Sequence, residues 1–328
     1  MSERNLSLDV IKCLACIGVV GLHSVGMINY TIYYLCGISV PFFFMVNGYL
    51  MFSKESLTYS YAARKIFYLL RIVVCWNILI LIPVLILRHK FMNPFSLCAK
   101  SLFQQGYLWH FWFFGSLILL YLILPVLHKW LHHRPKALFI SCLFLMLLCI
   151  FFSILSMIRG YSIQMFVPQT LRLWTWLFYF LFGGLCAVQK NVFVKRFPLW
   201  IHALIVFALA CINNFCIKKI GLYLVHARLA DLFYDNFSSI LWYTITFLFF
   251  LRIPIQGKVT KSILSLLSPL TIGIFILHPV FLAGINVFYT PSSTWNAVLL
   301  WGILVILSGI ATYIINKIPI VRSIISTS

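Results

Sequence analysis

Acidic side chains are almost missing from this chain. Its 328 residues hold five: Glu3, Asp9, Glu55, Asp231 and Asp235. Charged residues of both signs reach only 9%, against about 25% in soluble domains. So few carboxylates argue against paired-carboxylate chemistry inside a membrane and against a proton-coupled carrier built on buried acids. There is no Gly/Ser linker, no internal repeat and no alternating apolar–polar run. The last absence rules out the strands of a membrane barrel. A disulfide framework is absent too, because most of the ten cysteines, such as Cys13, Cys16, Cys142 and Cys186, lie inside apolar runs. Cys13 and Cys16 make a C-x-x-C with no second pair nearby, which reads as small packing residues. No cluster has metal-ligand spacing, so no metal is expected. The first apolar run is interrupted by Lys12 and followed at once by another, so it reads as a retained span, not a cleavable leader.

What is present is apolar surface. Hydrophobic residues make up 63% of the chain and the mean hydropathy is +1.03, so lipid must act as solvent. At ~20 residues per span, the length allows on the order of ten helices. The apolar runs fall at about 8–28, 31–53, 64–87, 108–128, 137–158, 171–189, 198–217, 237–252, 264–287 and 294–316. The run at 237–252 is the shortest. The expected fold is all-α and polytopic: a single transmembrane domain over 1–328, with no separate soluble domain.

The net charge is +20. In a soluble protein that would suggest nucleic acid; between apolar runs it reads as topogenic charge, and no nucleic-acid partner is expected. One set of span ends carries 15 basic residues: Arg4, Lys54, Arg64, Lys65, Lys129, Arg134, Lys136, Lys190, Lys195, Arg196, Arg252, Lys258, Lys261, Lys317 and Arg322. The opposite set carries eight: Arg88, Lys90, Lys100, Arg159, Arg172, Lys218, Lys219 and Arg228. The richer side belongs in the cytoplasm, so both termini are expected there.

A few polar residues inside the runs stand out, because ionisable groups in a span need a partner or a wet cavity. The first run, LDVIKCLACIGVVGLHS, carries Lys12 and His23, roughly 16 Å apart along a helix axis. Lys12 sits near the cytoplasmic interface, where snorkelling explains it equally well. His23 lies beyond mid-membrane. His278, in LSPLTIGIFILHPVF, falls at a similar depth counted from the cytoplasmic end. Pro279 after it frees a backbone carbonyl. For both histidines a packing role is the plainer reading of each helix taken alone. SVPFFFMVNGYLMF suggests a kink at Pro41 and sets Asn47 and Gly48 in the membrane. Arg64 and Arg71, seven apart, share a helix face. That face suits a polyphosphate, or else anionic lipid head groups. Trp109, His110 and Trp112 open the fourth run at the outer interface, where an aromatic belt is the ordinary expectation.

Together these residues resemble the integral membrane acyltransferases often called acyltransferase family 3. The family's first helix has an Arg, ten residues and an essential His; Lys12 and His23 occupy that frame. FFMVNGY, residues 43–49, is similar to FFxxSGY, with Asn47 in the serine position. Arg64 and Arg71 match the spaced arginines of the third helix. Trp112, Phe113, Tyr121 and Pro125 match the fourth, and TIGIFILHP (271–279) matches a late S-x-G-I-Y-L-x-H-P pattern. Lysine at position 12 offers a point charge in place of arginine's planar fork.

The resemblance implies an O-acyltransferase, most naturally an O-acetyltransferase, in the bacterial plasma (inner) membrane. Acetyl-CoA would be the acyl donor, and the acceptor a cell-surface glycan or lipid-linked saccharide. Lys12, Arg64 and Arg71 would hold CoA phosphates. His23 would act as general base or transient acyl carrier, with Asn47, Trp112 and His278 as orienting groups. Membrane lipids are the other expected partner. The competing reading is a polysaccharide or lipid transporter or flippase that uses the same charges without chemistry. A sensor derived from the enzyme fold is a third.

Overall fold

The computed structural model describes residues 5–89, 92–189 and 198–325. Glu3, Arg4, Lys90, Lys190, Lys195 and Arg196, and the side chain of Arg88, lie outside the described residues. Fourteen helices follow one another among the described residues: α1 Leu6–Ser24, α2 Tyr30–Cys36, α3 Ser39–Phe52, α4 Tyr59–Arg88, α5 Pro94–Leu102, α6 Trp112–Leu131 and α7 Pro135–Arg159, then α8 Leu173–Val188, α9 Leu199–Lys219, α10 Phe237–Arg252, α11 Lys258–Leu267, α12 Thr271–Ile285, α13 Thr294–Lys317 and α14 Pro319–Arg322. No strand occurs among the described residues.

Among the described residues eight stretches are long and apolar enough to cross a membrane: Leu6–Ser24, Tyr30–Phe52, Tyr59–Ile86, Trp109–Leu131, Pro135–Arg159, Leu199–Leu224, Lys258–Ile285 and Thr294–Lys317. Two shorter apolar helices, Leu173–Val188 and Phe237–Arg252, bring the number to the ten expected. The protein is an all-α, multi-pass membrane protein. The weakest run, 237–252, is the helix α10.

Helix starts follow local chemistry. The side chain of Asn5 accepts from the amides of Ser7 and Leu8 at the start of α1. Asn29, Thr58, Asn93 and Asn236 cap α2, α4, α5 and α10 in the same way. These caps satisfy amides that would otherwise lack partners.

Three features depart from the sequence reading. The second span breaks at Gly37 and Ile38, before Pro41. Pro41 lies in the first turn of α3, where its missing N–H costs nothing. The third helix begins at Tyr59, so Arg64 and Arg71 lie inside it and not at its start. The ninth span begins at Lys258 and is interrupted by the turn Ser268–Leu270, which contains Pro269.

The chain forms two compact units. The first comprises Met1–Ser53, Pro135–Ile163 and Trp174–Thr312; the second comprises Lys54–Arg134, Gln164–Leu173 and Tyr313–Ser328. Lipid tails are as apolar as leucine, so helices associate through close packing and hydrogen bonds, not through expulsion of water. In the first unit α3 and α8 meet through Gly48 and Gly183. A Cβ on Gly48 would overlap the Phe180 carbonyl oxygen, and one on Gly183 would overlap that of Met45. Beside them Phe44 stacks on Trp176, ring centroids 4.6 Å apart. The indole of Trp301 on α13 donates to the Ile17 carbonyl at 2.8 Å.

Gly48→Ala is therefore expected to destabilise the protein by about 1–3 kcal/mol. Around Gly284 a Cβ meets open space, so Gly284→Ala should behave as wild type. Thermal unfolding in detergent distinguishes them, and equal midpoints would rule out the tight α3–α8 crossing.

Candidate active site

The polar residues of the first unit line up along α1. Asp9, Cys16 and His23 are seven residues apart, which puts them on one face of the helix. Each meets the α11–α12 segment. Asp9 Oδ1 accepts from Ser268 Oγ at 2.7 Å, Cys16 Sγ donates to the Thr271 carbonyl at 3.4 Å, and His23 pairs with His278. The contacts advance in the same direction along both segments, so the helices run parallel and each contact fixes the register of the next.

The two histidines meet at the far end of that seam. His23 lies in the last turn of α1 and His278 inside α12. His23 Nδ1 is 2.9 Å from His278 Nε2, and the rings stack with centroids 4.9 Å apart at 22°. His278 is fully buried, and its Nδ1 is 2.9 Å from the Ile274 carbonyl. A carbonyl oxygen only accepts, so His278 Nδ1 carries a proton and donates it. A neutral His278 then presents Nε2 as an acceptor, and His23 Nδ1–H donates to it. In that arrangement a neutral His23 carries its basic lone pair on Nε2. The carbonyl that holds His278 is Ile274's, not the Phe275 carbonyl that Pro279 leaves without an amide four residues on.

Lys12 lies at the cytoplasmic end of the same helix by the charge count. Its Nζ is 2.7 Å from Asp9 Oδ1. Asp9 is buried while Lys12 is partly exposed, so Asp9 ties Lys12 and Ser268 into one group at the base of the seam. On α3, Asn47 donates from Nδ2 to the Phe43 carbonyl at 2.8 Å. That bond is within its own helix and sets the amide's orientation.

The other expected site residues belong to the second unit. Arg64 is exposed on α4. Arg71 is half-buried, its guanidinium 5.0 Å from the Tyr68 ring centroid. Two further cations flank one ring: Lys54 Nζ and Lys65 Nζ lie 5.0 and 5.9 Å from the centroid of Tyr61. His128 on α6 is 2.9 Å from the Lys54 carbonyl through Nε2 and stacks on His132 at 4.4 Å. Besides its arginines this unit thus holds a tyrosine flanked by two lysines and a buried His128 stacked on His132. Trp112 is buried, as is His110, whereas Trp109 is exposed; of the three, only Trp109 fits an interfacial belt.

Asp9 and Ser268 were not singled out as site residues from the sequence. The signal was available: three polar or polarisable residues seven apart on a largely apolar helix mark a face that meets a partner. A second buried carboxylate, Asp235, accepts from the Trp174 indole at 3.0 Å and from the Thr175 hydroxyl. These donors anchor the start of α8 to the loop before α10. Among the described residues no group of three or more His, Cys, Asp or Glu is placed to hold a metal ion.

Paired histidines between two helices of a multi-pass membrane protein make a built polar site. The chain belongs to the acyltransferase family 3 group, whose acyltransferase-domain model matches residues 5–317. It is also similar to an amino-acid racemase of Enterococcus faecalis, 25% identical over 162 residues, covering 44% of this chain and 22% of the racemase. A serine/alanine racemase of Enterococcus gallinarum is 27% identical over 147 residues, covering 38% of this chain and 21% of that protein. The chain thus spans about a fifth of the length of these curated relatives. No solved structure matches.

Proposed function

We propose that this membrane acyltransferase is an O-acetyltransferase. It takes the acetyl group of cytoplasmic acetyl-CoA and places it on a hydroxyl of a cell-surface glycan or its lipid-linked precursor. The observation that carries the reading is the Ile274–His278–His23 hydrogen-bond chain, which leaves the lone pair of neutral His23 on Nε2. The acceptor hydroxyl gives its proton to that nitrogen as its oxygen attacks the thioester carbonyl. A C–O bond forms, the C–S bond breaks, and the CoA thiolate takes up the proton from the imidazolium. Fixing the first ring nitrogen through a second histidine pre-orients the base before substrate arrives. The excess of basic residues on one set of span ends supports cytoplasmic termini, and the family likeness supports a bacterial plasma-membrane setting.

Lys12, Arg64 and Arg71 would serve the CoA phosphates, Lys12 as a point charge oriented by Asp9. Asn47 in the first unit and Trp112 in the second would each serve as an orienting group. The deciding experiment supplies purified protein in nanodiscs with radiolabelled acetyl-CoA and an isolated surface polysaccharide. Label transferred to the polysaccharide in an ester-sensitive linkage supports the reading. Donor binding without transfer to any hydroxyl acceptor would overturn it in favour of transport.

The donor site gives a separate prediction. Arg64→Ala and Arg71→Ala are each expected to weaken acetyl-CoA binding by roughly 1.5–3 kcal/mol if the contact is shielded, and by less at the exposed Arg64. Equilibrium binding to purified protein measures this. Unchanged CoA affinity in the double variant would reassign both arginines to lipid head groups.

A further inference from the structure

We propose that the groove between α2 and the segment following α9 is the acceptor site, and that it recognises a phosphate carried by the saccharide. This inference rests on the acyl-transfer reading above. The groove has a volume of about 430 Å³ and is lined by Asn29, Tyr30, Thr31, Tyr34, Lys218 and Arg228 among others. Its walls are joined by hydrogen bonds. Lys218 Nζ donates to Thr31 Oγ1 at 2.6 Å, Asn214 Nδ2 to the Thr31 carbonyl at 2.9 Å, and Tyr34 Oη to the Arg228 carbonyl at 3.1 Å. The Ala230 amide donates to Tyr33 Oη at 3.2 Å. Apolar side chains of Tyr33, Tyr34, Ile217, Val225 and Phe233 pack beneath.

Its charge indicates the ligand. Among the described residues neither Lys218 nor Arg228 has a carboxylate partner. Lys218 bonds a hydroxyl, and Arg228 contacts Tyr30 through its hydroxyl at 3.5 Å and its ring at 5.6 Å. An ammonium and a planar guanidinium brought together from two segments suit an anion with several oxygens, which is phosphate chemistry. Tyr30, half-buried and lining the groove one helical turn from the buried Tyr34, offers ring surface against which sugar C–H bonds pack. The backbone between the two cations is irregular: a π-helical turn over Ile220–Leu224, then His226 at φ +49°. Such turns concentrate at functional sites.

The position fits the chemistry. Lys218 and Arg228 belong to the basic residues of the outer span ends. Ile28, which also lines the groove, lies five residues after His23. Fully extended, that chain reaches at most about 18 Å. A phosphate held by Lys218 and Arg228 would thus leave the attached saccharide within reach of the histidine pair. The phosphate has two sources, a prenyl-diphosphate carrier lipid or a phosphorylated glycan unit, and both present the same oxygens.

The test measures binding to full-length protein in phosphatidylcholine nanodiscs, without acetyl-CoA. The probes are a prenyl-diphosphate-linked disaccharide, the same disaccharide 1-phosphate without lipid, and the phosphate-free disaccharide. Both phosphorylated probes should bind at least about tenfold more tightly than the phosphate-free one if charge-assisted contacts hold them. A gain for the lipid-linked probe alone assigns the phosphate to the carrier; equal gains assign it to the saccharide. Lys218→Gln with Arg228→Gln should remove the gain, whereas Lys218→Arg with Arg228→Lys should keep most of it, which guards against simple misfolding. His23→Ala should leave binding intact. The proposal fails if all probes bind alike, or if phosphatidylglycerol in the nanodisc competes as well as the phosphorylated saccharides. Phosphate-dependent binding in a protein that transfers no acetyl would sink the enzyme reading and leave the groove standing. Normal transfer with binding indifferent to the double substitution would sink the groove alone.

Discussion

His23→Ala is expected to reduce acyl transfer by at least ~10²-fold while leaving a folded, membrane-inserted protein. The magnitude is that of losing a general base held within hydrogen-bonding reach of the proton it takes. Imidazole is the side chain whose unperturbed titration lies near neutrality. Donor binding should survive, because Lys12 lies eleven residues earlier on α1, roughly 16 Å along the axis. The substitution leaves His278 Nε2 without the His23 proton, a loss of about 1–3 kcal/mol if nothing replaces it. Activities are therefore compared at matched folded protein, judged by thermal unfolding, with His23→Gln as a second variant. A near-complete loss, with an acetyl group trapped on His23 of the wild type by rapid quench and mass spectrometry, would instead mark the ring as an acyl carrier. Near-normal transfer by both variants would remove His23 from the chemistry and return the transporter reading.

The ten spans were legible because a membrane forces every backbone polar group to be satisfied within its own helix. Continuous apolar runs therefore translate almost directly into helices. Even the short run at 237–252 follows this rule. What the runs did not reveal has local causes. The amphipathic α5, Pro94–Leu102, carries Lys100 and is too short and too polar to register as a span. The break falls at Gly37, before Pro41, where a side chain distant in sequence comes close. A Cβ on Gly37 would lie 3.1 Å from the Tyr243 hydroxyl. No window of hydropathy contains that information.

The site was legible in its residue types and not in its pairings. His23 and His278 stand 255 residues apart. Counting depth places them at one level but leaves the adjacency of α1 and α12 open. Asp9 drew notice only as one of five acids, yet it holds Lys12 and Ser268 together. The seven-residue spacing of Asp9, Cys16 and His23 was the missed clue, since Cys16 read as a packing residue. In the second unit, Tyr61 lies beside both Lys54 and Lys65, a grouping of ring and cations that the spacing of Arg64 and Arg71 did not reveal.

His278→Ala is expected to lower kcat by roughly 10- to 10²-fold with KM for both substrates little changed, a smaller loss than removing the base itself. In the proposed mechanism the residue is a positioning group: it touches His23, and its own Nδ1 donates to the Ile274 carbonyl. Without its Nε2 acceptor, the His23 ring is no longer held with the proton on Nδ1 and the lone pair on Nε2, so a fraction of rings face the substrate in the wrong tautomer or rotamer. The lost interaction belongs to catalysis and not to binding, hence the effect on kcat alone. Two further measurements separate this from a structural defect. His278→Gln places an amide oxygen that can accept from His23 Nδ1–H, and it should recover part of the rate, which a merely space-filling role would not require. The double variant His23→Ala with His278→Ala should be no slower than His23→Ala alone, because a positioning group has nothing left to position once the base is gone. Multiplicative losses in the double variant would show that His278 acts independently of His23, and the hydrogen-bond chain would then have no part in orienting the base.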